Sequence, residues 1–201
     1  MLGRVQVRRA GTSDIAAAVQ TVTEAFHHDP TWGWAFPDPQ LRPAQYQRCW
    51  GVFVSSANRY DWTWLADDAA SVAVWIPPGG VELTDEDEAS LEPLLRELIG
   101  PWTDSVLEGL HRFDTAHPRD EPHYYLSLLG TRDSRRGEGI GMALLRESLA
   151  AIDAEGMPAY LESTNPANNR RYESVGFKDI GTFEMPDGGP VVTRMWREAV
   201  R

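Results

Sequence analysis

Between positions 134 and 145 the chain reads Ser134-Arg135-Arg136-Gly137-Glu138-Gly139-Ile140-Gly141-Met142-Ala143-Leu144-Leu145, two cations followed by glycines at alternate positions. An apolar run from His123 to Leu129 precedes it and apolar residues at helical spacing continue to Ile152, so the segment sits where a strand turns into a helix. The first turn of a helix leaves backbone N–H groups unpaired and carries the positive end of the helix dipole, which together make a seat for an anion. Glycines there remove Cβ atoms that would hold a phosphate away, and Arg135 and Arg136 bring guanidinium groups able to fork onto its oxygens. The P-loop is excluded because it needs a lysine the segment lacks, and the dinucleotide fingerprint is excluded because its third glycine falls on Met142 or Leu144.

Further residues that can do chemistry lie downstream. A second strand-like run, Pro158 to Thr164, carries Glu162, and a carboxylate inside a strand points to a pocket. Next comes Asn165-Pro166-Ala167-Asn168-Asn169-Arg170-Arg171-Tyr172-Glu173-Ser174-Val175-Gly176-Phe177. Asn165 can cap a helix that begins at Pro166, or it can make a polar contact to a ligand; both readings stand.

The order of Arg136-x-x-Gly139-x-Gly141 between strand and helix, a second strand, and Asn…Tyr172-x-x-x-Gly176-Phe177 resembles the GNAT superfamily of N-acetyltransferases. The resemblance implies an α/β fold over residues 1–201 as one acetyltransferase domain. Its central sheet is mixed and mostly antiparallel, splayed at the two middle strands and flanked by helices. It also implies acetyl-CoA as cosubstrate, with the pyrophosphate on residues 135 to 142 (Arg135, Arg136, Gly137, Glu138, Gly139, Ile140, Gly141, Met142). The pantetheine arm would pair with Leu129, Gly130 and Thr131, and Asn165, Asn168 and Tyr172 would lie beside it. Tyr172 becomes the proton donor to the departing thiolate, and Glu162 the base that takes the ammonium proton; water, or His27 and His28 with Asp29, are the other bases weighed. A nearer likeness, to puromycin acetyltransferase and its relatives, rests on Pro158 to Glu162, the Asp29-Pro30 turn, Val72 to Trp75 and the Asn168 to Tyr172 spacing. It places His27, Asp29, Trp32 and Trp75 at the acceptor site. The activity implied is direct acetyl transfer to a primary amine, most readily a small molecule such as an antibiotic or xenobiotic. A CoA-binding or amine-sequestering module without turnover, and a protein or peptide N-acetyltransferase, are the alternatives.

Composition bounds the partners. The 201 residues carry a net charge of −11, which argues against nucleic-acid binding, and only the Arg132, Arg135 and Arg136 cluster is locally cationic. No apolar run approaches the ~20 residues of a membrane span, and Met1 to Arg9 lacks the apolar block of a signal peptide, so a cytoplasmic protein is expected. One cysteine, Cys49, excludes an internal disulfide, and no His/Cys/Asp set completes a metal site. Oligomeric state is left open, a homodimer among the options.

The elements that must position these groups can be read from periodicity. A strand over Arg4 to Arg9 is followed by a helix capped by Thr12 or Ser13 and ending near Asp29-Pro30. The aromatic loop from His27 to Asp38 should cover something apolar. A helix over Pro43 to Asn58 and strands over Asp61 to Ala66 and Ser71 to Ile76 come next. The acidic run Asp85 to Glu88 reads as a solvated helix start, and Trp102 to His117 as a further helix. In the central strand, alternation puts Tyr124, Leu126 and Leu128 on one face and Tyr125, Ser127 and Leu129 on the other, with Gly130 suited to a bulge or a close approach. Lys178 to Met185 and Val191 to Trp196 form a closing hairpin.

Overall fold

The computed structural model describes residues 5–200; Arg4, where the first strand was expected to start, lies outside them. Seven strands form one sheet: β1 (Val7–Arg9), β2 (Thr63–Ala66), β3 (Ser71–Ile76), β4 (Tyr124–Thr131), β5 (Ala159–Ser163), β6 (Lys178–Glu184) and β7 (Val191–Arg197). Their spatial order is β1-β2-β3-β4-β5-β7-β6, antiparallel throughout except for the parallel pair β4 and β5. This mixed, mostly antiparallel sheet flanked by helices is the architecture expected from the sequence.

On one face lie α1 (Ile15–Phe26), α3 (Arg42–Ala57), α4 (Asp85–Ile99) and α5 (Thr103–Ala116), whose Val22, Trp50, Val54, Leu95 and Val106 bury against Leu65, Val72 and Val74 of the sheet. The other face is covered by α6 (Ile140–Ala154), through Ile140, Leu144, Leu145, Leu149 and Ile152, none more than 2% exposed. At roughly 1.5–3 kcal/mol for each large aliphatic side chain, that stripe fixes the start of α6 against the sheet. Because β3 is buried on both faces, its Ser71 to Ile76 run is continuously apolar after the first residue.

Two short pieces depart from expectation. The aromatic loop contains a helix, α2 (Pro30–Ala35), whose first turn is capped by Asp29 Oδ1 accepting from the amides of Thr31 and Trp32 at 2.9 and 3.1 Å. Neither Thr12 nor Ser13 caps α1; those residues form a 3-10 turn, and Asp14 accepts the Gly11 amide at 2.8 Å and pairs with Arg8 at 2.6 Å.

The central strand carries the larger correction. Against β3, Val74 faces Leu128 but Trp75 faces Leu126, so Ser127 is an extra residue and β4 bulges there. Strict alternation fails at that point. Leu128 joins Val22 and Val74 in the core under α1, while Tyr124 and Leu126 lie in the core under α6. Gly130 is the close approach and not the bulge. A Cβ built on it would stand 2.8 Å from Ala25 Cβ, so α1 packs onto β4 only because that atom is missing. Gly130→Ala is expected to cost about 1–3 kcal/mol of stability by overpacking, read as a lowered urea midpoint. An unchanged midpoint would contradict this contact.

Candidate active site

Strands β4 and β5 pair over only three residues, Tyr124 to Leu126 against Ala159 to Leu161. Beyond them both strands continue, to Thr131 and Ser163, without pairing. Which groups of β4 face the gap follows from the phase of its other edge. Arg132 N–H donates to Ala70 C=O at 2.9 Å, so residues 130 and 128 share the bonded positions with β3, and Leu129 and Thr131 turn their N–H and C=O groups toward the gap.

At the far end of that gap lies the start of α6. Gly137 and Gly139 have positive φ, +84° and +78°, with open space where a Cβ would be. Gly139 caps α6 without any side-chain bond, and among the described residues no acceptor takes the amides of residues 137 to 142. These six consecutive N–H groups are thus without acceptors, and all of their residues but Glu138 line the cleft, with the helix dipole behind them. Gly141 differs from its neighbours. Its absent Cβ would lie 2.5 Å from Thr131 Oγ1, so it serves the packing of α6 on β4 and not the anion seat.

The arginines of this loop are engaged within the chain. Arg135 bonds Glu138 at 2.9 Å and lies 3.5 Å from Asp67, while Arg136 bonds Asp133 at 2.9 Å and the Ala25 carbonyl at 2.6 Å. Arg132 is turned onto the Thr21 hydroxyl at 2.9 Å and leaves the expected cationic cluster.

A single cleft of about 1190 Å³ joins the gap, the amide cradle and the acceptor end. Leu129 to Thr131, most of the cradle, Asn165, Asn168, Tyr172 and Glu162 all line it. Asn165 uses its side-chain oxygen to cap the turn at Pro166, accepting from Ala167 N–H at 3.1 Å, and Asn168 accepts from Arg171 at 2.7 Å. Tyr172, on the five-residue α7 (Asn169–Glu173), is half-buried with its ring edge toward Phe177. Burial raises its hydroxyl above the ordinary value, with the Asp29 carboxylate adding to the effect, so it stays protonated.

Glu162 is the most unusual group. Its side chain is 2% exposed, and neither oxygen completes a hydrogen bond of normal geometry. Burial pushes its carboxyl up to about 8; the nearby Tyr160 and Tyr125 hydroxyls offset this in part, and Glu82 adds repulsion. Glu82 was not singled out by sequence. It stands after the Pro77 to Gly80 turn, accepts the hydroxyl of Ser127 at the β4 bulge, and lines the same cleft with a carboxyl raised by burial.

The acceptor-site residues expected from the sequence divide. Trp32 lines the cleft, stacked on Phe113 at 5.9 Å. Asp29 also lines it, but its carboxylate is spent on the α2 amides and on the Thr164 hydroxyl at 2.8 Å, a brace between the aromatic loop and β5's end. His27 does not line the cleft whereas its neighbour His28, in the turn after α1, does. Trp75 is wholly buried under α6 and cannot touch a ligand; the bulge that shifts the β3–β4 register lies beside it.

A seven-stranded sheet parted at its centre over a cradle of bare amides defines a class, and the chain belongs to the acetyltransferase (GNAT) family, whose model matches residues 27–177. Among curated relatives it is 29% identical over 153 residues to mycothiol acetyltransferase of Streptomyces coelicolor, covering 74% of this chain and 47% of that protein. The chain spans about half the length of the curated relatives it matches. Among solved structures, a Corynebacterium glutamicum histone acetyltransferase and related acetyltransferase is 24% identical over 98% of this chain and 97% of that one, TM-score 0.67. Arylalkylamine N-acetyltransferase 2 of Aedes aegypti is 13% identical over 98% and 100%, TM-score 0.67. These two likenesses show the fold. Among the described residues no helix is long and apolar enough to cross a membrane.

Glu162 gives a stability test with a definite sign. Its carboxyl is raised from about 4.5 when unfolded to about 8 when folded, so between those values the folded state holds a proton the unfolded state has lost. Stability should therefore fall as pH rises through that window. Glu162→Gln should remove the slope, matching the parent near pH 4 and exceeding it above pH 8 by on the order of a few kcal/mol in denaturant titrations. Parallel stability curves would show that the buried carboxyl is not strained.

Proposed function

We propose that the protein is an acetyl-CoA-dependent N-acetyltransferase that transfers the acetyl group directly to the primary amine of a small molecule. The observation that carries this reading is the unpaired edge of β4, which runs within one cleft from the bare amides of α6 to Glu162 and Tyr172. The diphosphate of the cofactor would take the amides of residues 137 to 142, and its pantetheine arm would pair with Leu129 and Thr131 as an added strand. Arg135 and Arg136 would exchange their carboxylate and carbonyl partners for phosphate. The residues suit the group, since a chain of unsatisfied amides requires an acceptor.

The Leu129 N–H would polarise the thioester carbonyl and hold the oxyanion that forms when the amine attacks. Glu162 takes the ammonium proton, which frees the nitrogen lone pair. As the tetrahedral intermediate collapses, the C–S bond breaks and the Tyr172 hydroxyl gives its proton to the sulfur. With phenols near ~10 and thiols near ~8.5, that transfer is close enough to balanced to occur within one hydrogen bond.

A compact cationic acceptor is favoured by the far end of the cleft, where Trp32 and Phe113 stack and the Glu82 and Glu162 carboxyls lie without cationic partners among the described residues. The nearer likeness to puromycin acetyltransferase, on Pro158 to Glu162, the Asp29-Pro30 turn, Val72 to Trp75 and the Asn168 to Tyr172 spacing, belongs to this reading.

Tyr172→Phe should lower kcat roughly 10²-fold with the acetyl-CoA Kd unchanged, followed by thiol release on an amine panel; an unaltered rate would remove Tyr172 as the acid. Arg136→Ala should raise the Kd for CoA by calorimetry about ten-fold, equivalent to about 1.4 kcal/mol. Equal affinity would contradict the cradle assignment.

A further inference from the structure

Two histidines in the cleft have no part in the mechanism above. His117 follows α5 and His123 precedes β4, and Tyr125, Tyr160 and Trp196 pack around the pair with ring centroids 4.8–5.1 Å from one or other imidazole. Their partners fix where the protons are. His123 Nδ1 lies 2.7 Å from the carbonyl oxygen of Glu121, and a carbonyl has no proton to give, so Nδ1 carries the hydrogen. Burial disfavours the charged form of this ring, which leaves its Nε2 bare. That bare nitrogen stands 3.1 Å from Nε2 of His117, which must then be the donor. His117 is also neutral, burial and the neighbouring His123 holding it down to about 4, so its Nδ1 is bare in turn. It faces Glu162 Oε1 at 3.8 Å.

The two bonded links each have one donor and one acceptor, and the line of groups runs from the buried carboxyl to the exposed Glu121 and Pro122 at the cleft rim. We propose that His117 and His123 are positioning residues that conduct the substrate proton from Glu162 out to solvent, an inference that rests on Glu162 being the base. The 3.8 Å step is long for a resting bond, as catalytic contacts commonly are before substrate arrives.

The transfers balance. The acceptor ammonium loses N–H to the Glu162 carboxylate and keeps the electron pair for attack on the thioester. Glu162 O–H then breaks as His117 Nδ1–H forms, His117 Nε2–H breaks as His123 Nε2–H forms, and His123 Nδ1–H, leaving the Glu121 carbonyl that cannot hold a proton, passes to a water at the rim. One proton enters and one leaves, so neither ring is charged at the end. Both tautomers are inverted, which sets a bare His123 Nδ1 against the Glu121 carbonyl; before the next turnover each ring regains its starting tautomer by exchange with water, His117 in the cleft and His123 at the rim.

The groups around the chain favour passage over storage. Glu82, Tyr125 and Tyr160 surround Glu162, with Arg194 opposite it on β7. Asp114 and Arg119 face His117, and Glu121 and Arg119 face His123. Arg119 repels an imidazolium at either ring, so a proton does not rest on the pair.

The test replaces each ring by one that keeps its shape and carries no proton, His117→Phe and His123→Phe, in the full chain. Thiol release from acetyl-CoA is measured in dilute buffer and against rising imidazole. In dilute buffer both variants should turn over about ten-fold more slowly than the parent, recover with imidazole, and keep the parent's acetyl-CoA Kd; the parent should be indifferent to imidazole. A proton inventory on the parent in mixed H2O and D2O should be bowed, reporting more than one proton in flight. Variants as fast as the parent, slow variants that imidazole does not rescue, or a linear inventory would each overturn the outlet while leaving Glu162 as base. No thiol release from the parent with any amine would overturn the enzyme reading and the outlet with it.

Discussion

The parting of β4 from β5 is the constraint on which the rest of the molecule depends. Backbone amides and carbonyls withdrawn from water must find partners, and inside a sheet the partner is normally the next strand. Here the next strand is absent from Leu129 to Thr131, because α1 and α6 hold β4 in place from opposite faces. Gly130 admits Ala25 of α1 on one side, and Thr131 abuts Gly141 of α6 on the other. β5 meanwhile is held by β7 along its whole length, from Ala159 against Arg197 to Ser163 against Thr193. With both strands committed elsewhere, the gap cannot close on itself, and its polar edge is left for a ligand of extended shape.

The contact between Thr131 and Gly141 also ties the two ends of that ligand's site together. It sets the first turn of α6, and so the bare amides of residues 137 to 142, at a fixed offset from the β4 edge. The bulge at Ser127 works at the opposite end. By inserting one residue it moves Leu128 into the core under α1 and turns the Ser127 hydroxyl onto Glu82, which places a second carboxyl near Glu162. On the proposed reading, one irregularity in register separates an anion-seeking end from a cation-seeking end along a single strand.

The order and type of the elements were legible because they depend on local signals, such as the apolar spacing in Ile140 to Ile152 and the acidic start of α4. The loop glycines were legible as a group, but their separate tasks were not. Gly137 and Gly139 meet open space while Gly141 meets Thr131, and only the packing of distant segments distinguishes them. Trp75 misled for the same reason. An aromatic in a strand reads equally well on either face, and a bulge in the neighbouring strand alters which side chains share a face. Glu82 and the histidine pair left no trace, since Glu82, Ser127 and Glu162 are brought together only by β4 and β5 lying side by side.

A base with a carboxyl near 8 would be mostly protonated at neutral pH, which at first sight disqualifies it. The causes of the shift resolve the difficulty. Desolvation and the Glu82 carboxyl both oppose charge on Glu162, and both oppositions weaken when a cation enters the cleft, because an ammonium beside a carboxyl favours its ionised form. On the proposed reading, the acceptor itself therefore ionises the group that will deprotonate it. In the empty cleft the protonated Glu162 adds no second negative charge beside Glu82. Once the amine nitrogen is acetylated its charge is gone, and the neutral amide has nothing left to hold it among the carboxyls. Binding of the cation and release of the product would then follow from the same desolvated pair.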